Sequence, residues 1–133
     1  METLFNKLAQ HKESLNDYLS LIAEMDKVLK SNYNSIWVKK IIEPSEDLKI
    51  DQCCDDLKSI ISGIIVFKSF KSFDNKLSSL SGRTKEEFLC TIKVLSKIYF
   101  NFRPVNKQEP DKRIREIKLS QELEKIIQES IQE

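Results

Sequence analysis

Near the start of the chain, an apolar side chain recurs at alternating intervals of four and three residues. His11 is the only polar member of this series, which otherwise contains Leu4, Leu8, Leu15, Tyr18, Ile22, Met25 and Leu29. Intervals of four and three place side chains on one face of an α-helix, which has about 3.6 residues per turn. Leu19, Leu21 and Val28 widen the apolar face. The pattern therefore predicts a core-facing bundle helix over residues 2–31.

Later segments show the same spacing and carry signals for helix ends. Thr84 and Glu87 match a capping box, in which each residue bonds the other's backbone N–H, so a helix is predicted over 84–102. Further helices are predicted over 46–79, with Ser45 as the N-cap, and over 111–130. A short helix is predicted over 35–43 from the apolar residues Ile36, Trp37, Ile41 and Ile42. It is predicted to end before Pro44, because the residue that precedes a proline disfavours helical geometry. The predicted fold is an all-α, antiparallel bundle of about four amphipathic helices.

The composition favours long helices over sheets. Only two Gly and three Pro occur in 133 residues, whereas a sheet protein of this size needs many turn residues. Hydrophobic residues make up 40% and charged residues 32% of the chain, which is typical of a globular protein. The length fits one domain, so we expect residues 1–133 to form a single helical domain.

Three features bear on the compartment. The three cysteines include the adjacent pair Cys53 and Cys54, which is a poor disulfide framework. The first residues lack the apolar core of a signal peptide. The longest apolar run, residues 60–67, is too short for a membrane-spanning helix, which needs about 20 residues. We therefore expect a soluble, cytoplasmic protein in a reducing environment, without an integral membrane segment.

The sequence offers few residues for catalysis. His11 has two interpretations: a structural or partly exposed histidine on the helical seam, which we favour, or a phosphoacceptor, which would need an exposed imidazole. In the run from Cys53 to Asp56, only the first and last residues share a helical face, so no metal site is predicted. The sequence around Cys90 does not indicate a general base that could activate its thiol as a nucleophile. We therefore expect a protein that is not an enzyme, with no catalytic residues, no metal and no cofactor.

The predicted function is protein–protein interaction, either as a binding module or as a small helical subunit of a multiprotein assembly. Exposed aromatic residues are efficient anchors for protein partners. Trp37, Phe70 and Phe73 are the predicted anchors, with Lys68 and Lys71 beside them. Because regular helical seams also suit self-association, the partner is predicted to be another protein or a second copy of this chain.

An alternative is a helical subunit that binds nucleic acid. Basic residues cluster over 68–85 and 107–118, where cations could hold phosphates while nearby aromatic rings stack on bases. The residues assigned to this role are Lys76, Arg83, Lys85, Lys112, Arg113, Arg115 and Lys118. The net charge of +1 favours neither interpretation.

Overall fold

The computed structural model describes residues 2–67, 69–74, 84–102 and 110–132. All regular elements of these residues are helical, so the predicted all-α bundle is confirmed. The α-helices are α1 (Glu2–Ala9), α2 (Leu15–Ser31), α3 (Ile36–Ile42), α4 (Ile50–Val66), α5 (Phe70–Asp74), α6 (Lys85–Phe102) and α7 (Pro110–Gln132).

The predicted first helix is divided into α1 and α2 by a turn. The seam residues on both sides of the turn are buried, but His11 is exposed, so its assignment to the apolar seam is wrong. Residues 10–14 are all polar, so a helix that continued through them would bury no apolar side chain in this segment. The chain instead forms a short 3₁₀ helix at Lys12–Ser14 and then re-enters the core at Leu15.

The predicted helix over 46–79 begins and ends elsewhere. A 3₁₀ helix occupies Glu43–Leu48, and Lys49 adopts a left-handed conformation with φ 55° directly before α4. Ser45 has non-helical backbone angles inside that 3₁₀ helix, so its assignment as the N-cap of a long helix is wrong. After Val66 the backbone becomes extended at Phe67, and α5 follows as a separate short helix. Residues 75–79 of the prediction lie outside the described residues.

The start of α6 confirms the capping box. The Glu87 backbone N–H donates to Thr84 Oγ1 at 3.1 Å, and the Thr84 N–H donates to Glu87 Oε1 at 3.2 Å. These reciprocal bonds satisfy donors that have no partner within the helix. Thr84 therefore caps α6, whose first helical residue is Lys85, one residue after the start of the predicted range.

Replacing Thr84 by alanine is expected to lower the free energy of unfolding by about 1 kcal/mol, because the first turn loses its side-chain acceptor. Urea denaturation of the purified variant measures this change. Thr84→Ser keeps the hydroxyl and should retain most of the stability. If serine destabilises the protein as much as alanine does, the hydroxyl is not the stabilising group.

Helices α6 and α7 pack along their length in opposite directions. Near the start of α6, Lys85 Nζ donates to the Ser130 carbonyl, and near its end Arg113 Nη2 donates to the Phe100 carbonyl at 2.8 Å. Ser96 and Ser120 hydroxyls bond at 2.6 Å between these ends. Helix α7 begins at Pro110, whose fixed φ suits a first helical turn, and continues to Gln132, so it extends slightly past both ends of the predicted range 111–130.

Polar groups are also buried in the bundle. The Tyr99 hydroxyl contacts Glu24 Oε2 at 2.9 Å and Glu116 Oε2 more closely, and both Tyr99 and Glu116 are buried. Tyr18 donates to Glu122 at 3.1 Å. The buried Asp26 carboxylate pairs with Lys30 at 2.9 Å and with Lys58 at 3.4 Å. These bonds tie α2 to α4, α6 and α7, and they fix how the helices pack.

Among the described residues, none of the helices combines the length and the apolar character that crossing a bilayer requires.

Candidate protein-docking surface

Helix α3 is a short element held against the bundle by one face. Val38 is fully buried, and Ile41 and Ile42 are half-buried against the core. Positions 38, 41 and 42 share a helical face, so the packing of these side chains fixes the orientation of the whole helix. The main packing partners of α3 are α6 and the 3₁₀ helix that follows it.

The opposite face of α3 presents large apolar side chains to solvent. Ile36 is 69% exposed and Trp37 67% exposed, and Tyr33 in the preceding turn is 47% exposed. The other exposed large hydrophobic residues in the described ranges are Ile65, Val66 and Ile114. Half of the exposed large hydrophobic residues in those ranges thus lie within five positions, and such clustering marks an interaction site more than scattered exposed residues do. We call Tyr33, Ile36 and Trp37 the α3 apolar patch.

A groove of about 460 Å³ runs beside the α3 apolar patch. It is lined by Tyr33, Ile36, Lys39, Lys40, Ile42, Glu43 and Glu46. Lys40 Nζ lies 5.4 Å from the Trp37 ring centroid, within the range of a cation–π interaction. At an exposed site such a contact contributes about 0.5–1 kcal/mol.

The charges of the groove are separated along the chain. The basic pair Lys39 and Lys40 follows the apolar patch, and the acidic pair Glu43 and Glu46 comes next. The two lysines lie on α3, and the two acids lie on the 3₁₀ helix that follows it. A partner that fits this surface needs apolar side chains to meet the α3 apolar patch and polar groups that complement these charges.

The structure separates the residues that the sequence assigned to one partner-binding site. Trp37 is exposed, as an anchor must be. Phe73 is only 3% exposed and belongs to the core, so its assignment as a surface anchor is wrong. Its ring packs against Phe5 and Phe67 at centroid distances of 5.2 and 5.8 Å. Burial of the ring in this cluster removes more apolar surface from water than an exposed position would.

Phe70 and the lysines give a mixed result. Phe70 is half-buried, with its ring edge-on to Phe5 at 5.6 Å. Lys71 is exposed, and Lys68 lies outside the described residues. Helix α5 packs against α1 and α4, whereas α3 packs against α6. The predicted cluster of Trp37 with Phe70 and Phe73 is therefore divided between two packing surfaces.

The residues assigned to nucleic-acid binding are partly used inside the bundle. Lys85 and Arg113 donate to backbone carbonyls, and Lys112 Nζ lies 4.0 Å from Glu24 Oε1. Arg115 and Lys118 are exposed on α7. Lys76 and Arg83 lie outside the described residues. Three of the five described members of this set thus have partners within the chain, and the other two are exposed.

Reactive groups are not concentrated at the α3 apolar patch. Cys53 and Cys54 are buried, and burial raises the pKa of the Cys54 thiol to about 12, which keeps it protonated. In the described ranges, no group of three or more His, Cys, Asp or Glu residues is placed to hold a metal ion. The α3 apolar patch supplies apolar area and the groove beside it supplies charged groups, and both suit recognition of a partner.

Sequence reasoning missed Tyr33 and Ile36 as parts of this surface. A usable signal was present, because apolar residues at 36, 37, 41 and 42 cover most of the circumference of a seven-residue helix. A short helix packed on a bundle by one face cannot bury all of them. No protein-family model, curated protein or solved structure matches the chain, so the argument for function depends on this geometry.

Proposed function

We propose that this chain is a non-catalytic protein-interaction module, and that the α3 apolar patch docks a protein partner. The observation that carries the proposal is the exposure of Ile36 and Trp37 to about two-thirds on a helix that the next residue, Val38, anchors to the core. Exposing adjacent large apolar side chains is unfavourable in water, and docking removes that cost.

The packing of α3 supports this role. Val38 anchors the helix to the core, so the patch is displayed on a supported element, and docking need not order a loose segment. Trp and Tyr are enriched among the residues that dominate binding energy at interfaces. Lys40 and the acids at 43 and 46 follow the apolar patch along the chain, and they supply polar groups beside it, as in the rim of an interface.

A photo-reactive amino acid placed at Ile36 tests the proposal in the native host. The cross-linked protein is identified by mass spectrometry, and its binding is then measured with purified components. Trp37→Ala is expected to weaken that binding at least tenfold, while the circular dichroism spectrum and the melting temperature stay unchanged, because Trp37 is 67% exposed.

The matched control places the same photo-reactive group, or an aspartate, at Ile114. This residue is 53% exposed on α7, away from the groove-lining residues of α3. Ile114→Asp should leave binding intact, whereas Ile36→Asp should abolish it. The proposal is wrong if cross-linking at 36 does not exceed cross-linking at 114, or if the reconstituted complex tolerates both Ile36→Asp and Trp37→Ala.

A further inference from the structure

We propose that this chain binds a small amphipathic carboxylate, of the chemical class of medium-chain fatty acids, in a cavity between α1, the start of α2 and the end of α4. The cavity has a volume of about 290 Å³. Six of its eight lining residues are apolar, and the two polar ones are Lys12 and Asn16. We call it the α1–α4 cavity. It shares no lining residue with the groove beside α3, so this proposal does not depend on the proposed function.

The inner wall of the α1–α4 cavity is apolar and belongs to the bundle core. Phe5, Leu15 and Ile64 line it, and all three are buried. They come from α1, α2 and α4, so the packing of three helices sets the shape of the wall. Ale-sized space is kept at the end of α1, where Ala9 has only a methyl side chain. A packed apolar wall of this kind suits the hydrocarbon part of a ligand.

The polar groups of the α1–α4 cavity lie where it meets solvent. Lys12 and Asn16 are both exposed, so each side chain reaches water as well as the cavity. Lys12 takes part in none of the ion pairs found among the described residues. Glu13 and Asp17 are adjacent in sequence, but none of the described lining residues is acidic. A carboxylate at the opening therefore meets a cation and an amide donor, whereas an amine meets no opposite charge.

Part of the apolar wall is open to water. Ile65 lines the cavity and is 47% exposed, and the neighbouring Val66 is 72% exposed. A hydrocarbon chain that enters the cavity covers part of the Ile65 side chain, and removal of this apolar surface from water is favourable. The α1–α4 cavity therefore offers both apolar surface to cover and a charge to pair.

The volume limits what can enter. A water molecule takes up about 30 Å³ of the liquid and a methylene group is of similar size, so the cavity admits roughly ten non-hydrogen atoms. An α-helix with its side chains is about 10–12 Å across, which is too wide for this space. A small molecule thus fits better than a helix of a partner protein. Octanoate has the size of the cavity and the charge that complements Lys12.

Titration of the full chain with sodium octanoate, followed by methyl NMR spectra, tests the proposal. Saturable shift changes are expected at the methyl groups of Leu15, Ile64 and Ile65, and none at Ile36 on α3. Octanol lacks the charge and should bind roughly three- to tenfold more weakly than octanoate. Octylammonium carries the opposite charge and should bind more weakly still.

Variants at the opening separate the charge from the apolar wall. Lys12→Glu should weaken octanoate binding at least tenfold and leave octanol binding nearly unchanged, because the wall stays intact. Lys27→Glu is the matched control, since Lys27 is exposed on α2 and does not line the cavity. This control should bind octanoate as the wild type does. Ala9→Leu should weaken binding of both octanoate and octanol, because the larger side chain takes up space in the cavity.

The outcomes decide between a carboxylate site and an unused cavity. Octanoate shifts that saturate at the cavity methyl groups, and that Lys12→Glu removes while Lys27→Glu retains them, support the proposal. Absence of saturable shifts at these methyl groups overturns it. Equal binding of octanoate and octylammonium, or an octanoate affinity that is unchanged in Lys12→Glu, also overturns it.

Discussion

Alanine at Gly63 is expected to destabilise the fold by about 2–3 kcal/mol, although glycine to alanine within a helix normally stabilises it by about 0.5–1 kcal/mol. Gly63 lies in α4, and a Cβ atom at this position would be 1.8 Å from Phe73 Cε2 and 2.4 Å from Cδ2. Contacts this short require the ring to move. Because Phe5 and Phe67 pack on the same ring, it cannot retreat without losing buried apolar contact.

Urea denaturation of a double-mutant cycle measures this effect. In a Phe73→Ala background the clash is absent, so the added methyl group at Gly63 should be neutral or slightly stabilising. Ser62→Ala, at an exposed neighbouring position on the same helix, should change stability by about 0.5 kcal/mol or less. If Gly63→Ala changes the free energy of unfolding equally with and without the Phe73 ring, the ring does not occupy the space beside Gly63.

The same contact explains why the sequence did not reveal the place of Phe73. Phenylalanines recur at 67, 70 and 73, and this interval of three does not show which ring is buried. The structure buries Phe73 because Gly63 leaves room for its ring. That pairing joins two helices, α4 and α5, whereas the spacing of residues in one segment reports only on that segment.

The features that sequence could predict are the local ones. The Thr84–Glu87 capping box predicted the start of α6, and Phe88, Ile92 and Leu95, which are spaced by four and three, form part of the buried face of that helix. Both depend on residues within one or two turns of each other. The turn at residues 10–14 was not predicted, because the apolar spacing continues in register on both sides of it.

The candidate docking surface was predictable in part for a similar reason. Trp37 was chosen as an anchor on its residue type, and its exposure agrees with that role. Ile36 was missed because its exposure depends on which face of α3 packs against α6, and the burial of Val38 decides that face. Tyr33 was missed because it lies in the turn before α3, where helical spacing gives no signal. The order of two lysines and two acids is visible in the sequence, but only the packing of α3 shows that Lys39, Lys40, Glu43 and Glu46 line one groove.

Raising the pH from about 9 to about 12 is expected to unfold the protein, because three buried groups hold their protons more tightly in the folded state. Burial, and next the hydrogen bond to Glu122, raise the pKa of Tyr18 from 10.0 to about 12. Burial, and next the charge of Asp26, raise the pKa of Cys54 from 9.0 to about 12. Burial and the bonds to Glu116 and Glu24 also raise the pKa of Tyr99.

The sign of the effect follows from proton binding. Below about pH 9 these groups are protonated in both states, and their contribution to stability is fully present. As the pH rises, the unfolded chain releases these protons first, so it binds fewer protons than the folded chain and stability falls. Each such proton contributes a slope of about 1.4 kcal/mol per pH unit, so the three together reach about 4 kcal/mol per unit.

Urea denaturation at a series of pH values between about 8 and 12 measures this slope. Tyr18→Phe and Tyr99→Phe each remove one of the retained protons, so each variant should lose stability less steeply with pH. Both variants also lose a hydrogen bond at neutral pH, since the hydroxyls contact Glu122 and the Glu24–Glu116 pair. The comparison therefore uses the slope and not the absolute stability. An unchanged slope in both variants would mean that the buried tyrosines do not control alkaline unfolding.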